Sequence, residues 1–294
     1  MEQLRYWYRK YLPNEIRQFI RKLVPFWIEL NYFVIKSKKY NLNSEGHGEA
    51  KKIKEICNML NITSGYYVDI GASDGFTSSS TYIFAKNDNF SGLSIELDKK
   101  KYLKMKKLYS KFNNTYLLNE KITPNNVVNV LLNQNVPKNF DILNLDIDSY
   151  DLFIIKEIIS SFAPKIISME INEKIPPPIY FTVLFDEEHF WQEDSFYGCS
   201  LQAAYEEICK KEYKLYTLQY NNAIFISKNT EFEFPELTVS EIYDFGYKNK
   251  EDRKDKFAYN ADVDAALEMN TTEAINFFDN LYKDYKGLYK LEIR

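Results

Sequence analysis

Cysteine is scarce in this chain of 294 residues: Cys57, Cys199 and Cys209 are isolated and odd in number. Neither a disulfide framework nor a cysteine zinc site is expected from such spacing, and a reducing cytoplasm suits it. No apolar run reaches the ~18–20 residues that a membrane span needs. The N-terminus, interrupted by Arg5, Arg9 and Lys10, lacks the continuous apolar core of a signal peptide. An excess of positive charge is missing too. With a formal net charge of −4, nucleic acid is not an expected partner. No internal repeat is visible.

What is present is an apolar content of 45%, enough for a substantial core. The abundant Tyr and Phe accompany a Lys-, Asn- and Ile-rich composition and say little about function. The first forty residues stand apart, with nine Arg and Lys against Glu2, Glu15 and Glu29. There Leu12, Ile16, Phe19, Ile20, Leu23, Val24 and Trp27 recur at helical spacing. Such a basic amphipathic helix packs on the core or on a sister subunit, or lies on an anionic membrane surface. A peripheral membrane contact through residues 1–40 and a homo-oligomer are therefore both open.

A polar linker, Asn41 to Gly48, closes an N-terminal segment of residues 1–48. From 49 to 228 the pattern predicts helix Ala50–Leu60 and then strands at Tyr66–Ile70, Gly92–Glu96, Thr115–Leu118, Phe140–Asp146 and Lys165–Ile171. Helices are predicted between them at Phe76–Ala85, Lys99–Tyr109, Asn125–Leu132 and Tyr150–Ser160. This alternation gives an α/β, Rossmann-like, doubly wound and mostly parallel sheet. A run of three prolines, Pro176 to Pro178, opens an aromatic and acidic loop that extends through Tyr197. Helix Ser200–Lys211 follows, then an antiparallel hairpin, Tyr213–Leu218 and Ala223–Ser227, with an Asn221-Asn222 turn. Residues 229–294 read as an accessory C-terminal tail, a lid or interface element, helical near Val239–Asp244 and Val263–Tyr285.

Tyr66-Tyr67-Val68-Asp69-Ile70-Gly71-Ala72-Ser73-Asp74-Gly75 runs from an apolar strand into a glycine turn, and Leu93-Ser94-Ile95-Glu96 ends the next strand on an acid. Glycines let a backbone approach a nucleoside, and the distal acid takes a ribose diol. The spacing D-x-G-x-x-x-G departs from the G-x-G-x-x-G that suits a pyrophosphate. It favours a nucleoside without one, S-adenosylmethionine above NAD or FAD. Cofactor contacts are expected at Asp69, Gly71, Ala72, Ser73, Gly75, Glu96 and Asp146, with Glu120 in the loop Asn119-Glu120-Lys121-Ile122 bordering an adenine.

Strand four ends Asp146-Ile147-Asp148-Ser149-Tyr150-Asp151 and strand five ends Met169-Glu170-Ile171-Asn172. Acids crowded at adjacent strand ends favour a bound cation or raised pKa values. Oxygen ligands from Asp146, Glu170 and Asn172 suit Mg²⁺. The alternative is that the acids cap helices and bind substrate without metal, Asp148 or Ser149 capping the helix at Tyr150. Asp148, Glu170 and His189 are the candidate catalytic proton acceptors, His189 because it titrates near neutrality. Tyr180, Trp191 and Tyr197 form either a wall against a sugar or lipid, or part of the core.

Three motifs, Val68 to Gly75, Asp141 to Asp151 and Met169 to Asn172, with Phe196-Tyr197-Gly198-Cys199-Ser200-Leu201-Gln202-Ala203-Ala204 downstream, resemble the class I S-adenosylmethionine-dependent methyltransferases. Within that class the likeness is to the FkbM-like and related bacterial sugar or polysaccharide methyltransferases, over roughly residues 50–228. The resemblance implies an O-methyltransferase acting on a sugar or glycan precursor in surface-glycan or secondary-metabolite synthesis, in the cytoplasm or at the inner membrane face. It implies that Asp69, Gly71 and Gly75 surround the methionine part of the cofactor and that Glu96 binds the ribose. Ser73 stands where a middle glycine is usual. Asp146 and Glu170 with Asn172 are similar to the ligands of cation-dependent O-methyltransferases, with different spacing. A nucleotide-sugar oxidoreductase or epimerase would share the sheet but would want G-x-G-x-x-G and a Tyr-x-x-x-Lys dyad, and neither is in place. A non-catalytic assembly module is disfavoured by the intact Glu96, Asp146 and Glu170.

Overall fold

Apolar residues at Tyr67, Val68 and Ile70 point to both faces of one strand, so that strand must lie inside a layered structure. In the computed structural model it is β1, Gly65–Ile70, and its last four residues are all buried. Residues 47–231 and 237–294 are described, together with Ile16, Phe26, Ile28, Leu30 and Phe33 as single helical positions. The basic segment of residues 1–40 otherwise lies outside the described residues.

In chain order come α1 (Glu49–Met59), β1, α2 (Tyr82–Ala85), β2 (Phe90–Ile95), α3 (Lys99–Tyr109), β3 (Thr115–Leu118), α4 (Val127–Asn133) and β4 (Ile142–Leu145). Then follow α5 (Asp151–Ser161), β5 (Ile166–Glu170), β6 (Ile179–Val183), α6 (Leu201–Cys209), β7 (Tyr213–Gln219) and β8 (Asn222–Ser227). Seven strands form one sheet in the order β3-β2-β1-β4-β5-β8-β7. The first five are parallel, while β8 runs antiparallel to both β5 and β7. The fold is a Rossmann-like α/β sheet. Strand order reverses between β1 and β4, the position at which such sheets open a crevice.

Val68, Ile70, Leu143 and Ile167 pack one face of the sheet against Ile154, Ile158 and Ala204 of α5 and α6. Tyr67, Ile142 and Ile166 pack the other against Ile53 and Ile56 of α1 and Met105 of α3, where Phe33 is also buried. The period-two alternation within each strand therefore divides its side chains between two cores.

The structure departs from the sequence reading in three places. No helix opens at Phe76, and α2 has only four residues. Asp74 Oδ1 accepts from the backbone N–H of Phe76 and Thr77, and Ser79 Oγ from those of Thr81 and Tyr82. Local side-chain acceptors of this kind compete with helical hydrogen bonds. The hairpin turns at Tyr220 and Asn221, since Asn222 already pairs with Gln219 and Tyr220 takes a left-handed φ of 58°.

The third departure lies in the aromatic loop and tail. The loop contains β6, buried at every residue, which pairs antiparallel with β9 (Tyr289–Ile293) at the end of the tail. Between them α7 (Val239–Tyr243) matches the expected helix near Val239–Asp244 and α8 (Arg253–Lys256) follows it, while the expected Val263–Tyr285 helix is shortened to α9 (Thr271–Leu281), with 3-10 turns at Asp264–Glu268 and Lys283–Tyr285. Asn270 and Glu273 form a reciprocal capping box that starts α9 afresh. Phe257, Ala274, Phe278 and Tyr282 join the same core as Ile154 and Phe181. Among the described residues no helix is long and apolar enough to cross a membrane.

Candidate functional site

At the end of β1 the chain must turn under β4. Gly71 has φ +87°, and a Cβ there would sit 1.7 Å from the Asp146 carbonyl oxygen. Only glycine fits. Gly71 and Ala72 both donate backbone N–H to the Ile95 carbonyl at 3.0 Å, and Asp146 N–H donates to the Ile70 carbonyl at 3.0 Å. The turn is thus stitched to the ends of β2 and β4. Ser73, at φ 52°, donates its N–H to Glu96 Oε2 at 2.7 Å, while Asp98 N–H donates to Oε1 at 2.6 Å. A carboxylate oxygen has two acceptor sites, so each Glu96 oxygen keeps one for a ligand hydroxyl.

Gly75, expected beside the cofactor, faces the core: a Cβ there would lie 2.7 Å from Met105 Cγ. Tyr109 donates its hydroxyl to the Gly75 carbonyl at 2.8 Å. Asp69 is buried, accepting from Thr81 Oγ1 at 2.6 Å and from Asn144 Nδ2 at 2.9 Å. Burial pushes its carboxyl up to about 6, against the lowering effect of those two donors.

These elements frame a cavity of about 660 Å³ at the carboxyl ends of β1, β2 and β4. Asp69, Gly71, Ala72, Ser73, Glu96, Glu120 and Asp146 line it, Glu120 from an exposed position. Lys101, Lys121, Asn144 and the hydroxyl run from Thr77 to Ser80 also line it. Of these, only Lys121 is placed by the sequence, within the loop expected to border an adenine, and without a role of its own. The hydroxyl run was hidden inside an expected helix, and the lysines carry no local signal that separates them from other surface lysines.

On the far wall stand Asp146 and Asp148, whose carboxylate oxygens lie with one of Glu170 all within 4.8 Å of one another. Burial, then mutual repulsion, holds Asp146 and Glu170 well above the usual carboxylate range. Asp148 is raised chiefly by burial. Glu170 accepts from Asn221 Nδ2 at 2.7 Å, which fixes it beside the two aspartates. Three acids this close retain at least one proton or hold a cation. Glu170 stands behind the aspartates and does not line the cavity.

Asn172 is not part of that group. Its buried amide donates to the Ser195 and Tyr197 carbonyls at 2.9 and 3.1 Å, tying down the loop after β6. Neither Asp148 nor Ser149 caps α5. Asp151 instead reaches back to accept from Ile147 N–H at 2.9 Å and Ser149 N–H at 3.0 Å, and burial pushes its carboxyl up to about 6. Asp148 is left in a left-handed conformation, φ 55°.

His189 does reach the cavity, with Nδ1 2.6 Å from Ser149 Oγ. Partial burial lowers its pKa. Phe190 and Trp191 line the mouth while remaining 49% and 40% exposed. Lys121 Nζ donates to the Glu187 carbonyl and lies 5.2 Å from the Phe190 ring centroid. Tyr180 and Tyr197 belong to the interior: Lys290 and Arg294 cover the Tyr180 ring, and the Tyr197 hydroxyl bridges Glu173 and Lys174. The cavity as a whole carries more acids than bases, with hydrogen-bond donors at Ser73 and the hydroxyl run. That charge favours a ligand with positive groups and several hydroxyls.

No family model matches the sequence, and no curated protein matches it. Solved structures that it is similar to include the CurJ carbon methyltransferase, at 9% identity and a TM-score of 0.41 over 61% of this chain and 53% of that one. The chain thus spans about half the length of that protein. An S-adenosylmethionine-dependent methyltransferase from Clostridium acetobutylicum is 10% identical, with a TM-score of 0.41, over 69% of this chain and 99% of its own. Magnesium protoporphyrin IX methyltransferase from Synechocystis, with bound SAH, is 9% identical, with a TM-score of 0.38, over 60% and 81%. Likeness of this degree leaves the chemistry to be argued from the residues of the site.

Proposed function

We propose that the chain is an S-adenosylmethionine-dependent methyltransferase acting on a hydroxyl of a sugar or sugar-linked acceptor. The observation that carries this reading is the turn at Gly71: side-chain-free backbone pressed under Asp146, between the buried acids Asp69 and Glu96, in a cavity at the switch point of the sheet. The residues fit such a cofactor. Glu96 keeps one acceptor site on each oxygen for a ribose diol, the acid surplus suits sulfonium and ammonium charges, and no glycine-rich pyrophosphate cradle is present at the turn.

When bound, the cofactor supplies an activated methyl on sulfur. What remains for the protein is to align an acceptor oxygen and to take one proton. Asp148 and His189, both on the cavity wall, are the proton acceptors of this reading, and Glu170 tunes the aspartates from behind. The raised Asp148 carboxyl moves toward neutral pH, where a general base works best, and the lowered His189 imidazole stays unprotonated and able to accept a proton there. Exposed Phe190 and Trp191 offer a flat apolar face to a sugar ring. A hard cation at Asp146, Asp148 and Glu170 is the finer form of the proposal. So is docking of residues 1–40 on a membrane where glycans are assembled.

Calorimetry with S-adenosylmethionine and with NADH, each with and without Mg²⁺, tests it. Binding of S-adenosylmethionine alone is expected. Binding of NADH instead would overturn the reading, and cofactor binding and turnover indifferent to EDTA would remove the cation.

A further inference from the structure

The loop that carries His189 is held very unevenly. At one foot β6 pairs with β9, and Leu184 N–H donates to the Leu288 carbonyl at 2.8 Å. At the other foot Tyr285 donates to Asp194 Oδ2 at 2.5 Å and Tyr282 to the Ser195 carbonyl at 2.8 Å, with Phe196 stacked on Tyr285 at 4.0 Å. Between the feet, residues 186–192 are exposed except at His189. Among the described residues, the hydrogen bonds that reach from this span across the cavity are two: Lys121 to the Glu187 carbonyl, and Ser149 with His189. A backbone with rigid ends and few buried contacts in the middle opens at low free energy.

Ser149 is the opposite case. It is buried, its N–H is fixed by Asp151, and its carbonyl accepts from Gly198 N–H at 2.9 Å. A fixed hydroxyl meets an imidazole borne on a weakly held span.

We infer that residues 186–192 form a lid and that Ser149 is the positioning residue for His189, latching the lid and orienting the imidazole in one step. Ser149 Oγ accepts from Nδ1–H, which leaves Nε2 as the free base. The base is assembled only when the lid is shut. The inference rests on the proposed methyl transfer for the use of that base, while lid and latch are properties of the free protein.

The full chain holds two histidines, so imidazole nitrogen NMR resolves His189 from His47, with His189→Gln as the assignment control. In the wild type His189 is expected as the Nδ1–H tautomer. In Ser149→Ala it should relax toward the tautomer mixture of free imidazole, and amide exchange over 186–192 should quicken about fivefold, the worth of one hydrogen bond. Ser149→Thr should restore both. An unchanged tautomer and unchanged exchange in Ser149→Ala would overturn the inference. Should that variant fail to fold, His189→Gln must show the same faster exchange, and its failure to do so overturns the latch. Calorimetry with S-adenosylmethionine on the wild type is read separately, so loss of the cofactor reading and loss of the latch are distinct results.

Discussion

Asp69 and Asn144 face each other in register across β1 and β4 and are joined by a 2.9 Å hydrogen bond in the buried interior. The pair ties the two strands together immediately below the turn that floors the cavity, and it gives Asp69 a structural role beside its place on the cavity wall.

Burial gives Asp69 a folded-state pKa of about 6, above its unfolded value. Its contribution is therefore complete below the unfolded pKa near 4 and is lost as pH rises through about 6. Asp69→Asn should remove on the order of 2–3 kcal/mol of the pH dependence between pH 4 and 7. Urea denaturation of both proteins across that range measures it. Parallel curves would show that the buried carboxyl does not titrate in this window.

Gly71→Ala should be severe. The added methyl meets backbone, not a movable side chain, and φ +87° is strained for alanine. A loss of about 2–4 kcal/mol in stability is expected, with cofactor binding abolished. Thermal denaturation and calorimetry together check both effects.

Glu96→Gln leaves Ser73 and Asp98 N–H with one acceptor between them and removes the charge that would face a diol. Affinity for S-adenosylmethionine should fall about 10–100-fold, in line with hydrogen bonds to a charged group. Adenine-only ligands should lose far less. Equal losses for both would assign Glu96 to the turn alone.

The acid group at Asp146, Asp148 and Glu170 separates a shared proton from a shared cation. If Mg²⁺ binds there, it should raise the Tm of the wild type, and Glu170→Gln should abolish the increase. Without metal, the same substitution relieves repulsion and should stabilise the protein by about 1 kcal/mol at pH 8, where the raised acids are forced to ionise. Differential scanning calorimetry with Mg²⁺ and with EDTA distinguishes the two.

Much of the central sheet was legible because buried parallel strands are short apolar runs between helical repeats. Asp69, Gly71 and Glu96 were legible because a turn, a close approach and a strand end each demand particular residues. Gly75 was misplaced since its φ of +71° follows equally from a core contact with Met105 and Tyr109. Asn172 was misplaced because two-residue spacing on a strand gives a common face but not a common neighbour, and its amide belongs to the loop at Ser195. β6 was missed because its partner, β9, lies at the other end of the tail, where local pattern has no reach. Ser149 sits beside Asp148 and reads as a helix cap, whereas no side chain caps α5 and Asp151 instead holds the Ser149 N–H.

The pairing of β6 with β9 also sets an order of events. On a ribosome the central sheet and the Gly71 turn are complete in sequence long before Tyr289–Ile293 emerges. The floor of the cavity can therefore form early, while the footing of its roof waits for residues made much later. Until then the span bearing His189 has no fixed feet, and the nascent protein holds a pocket whose roof is unanchored.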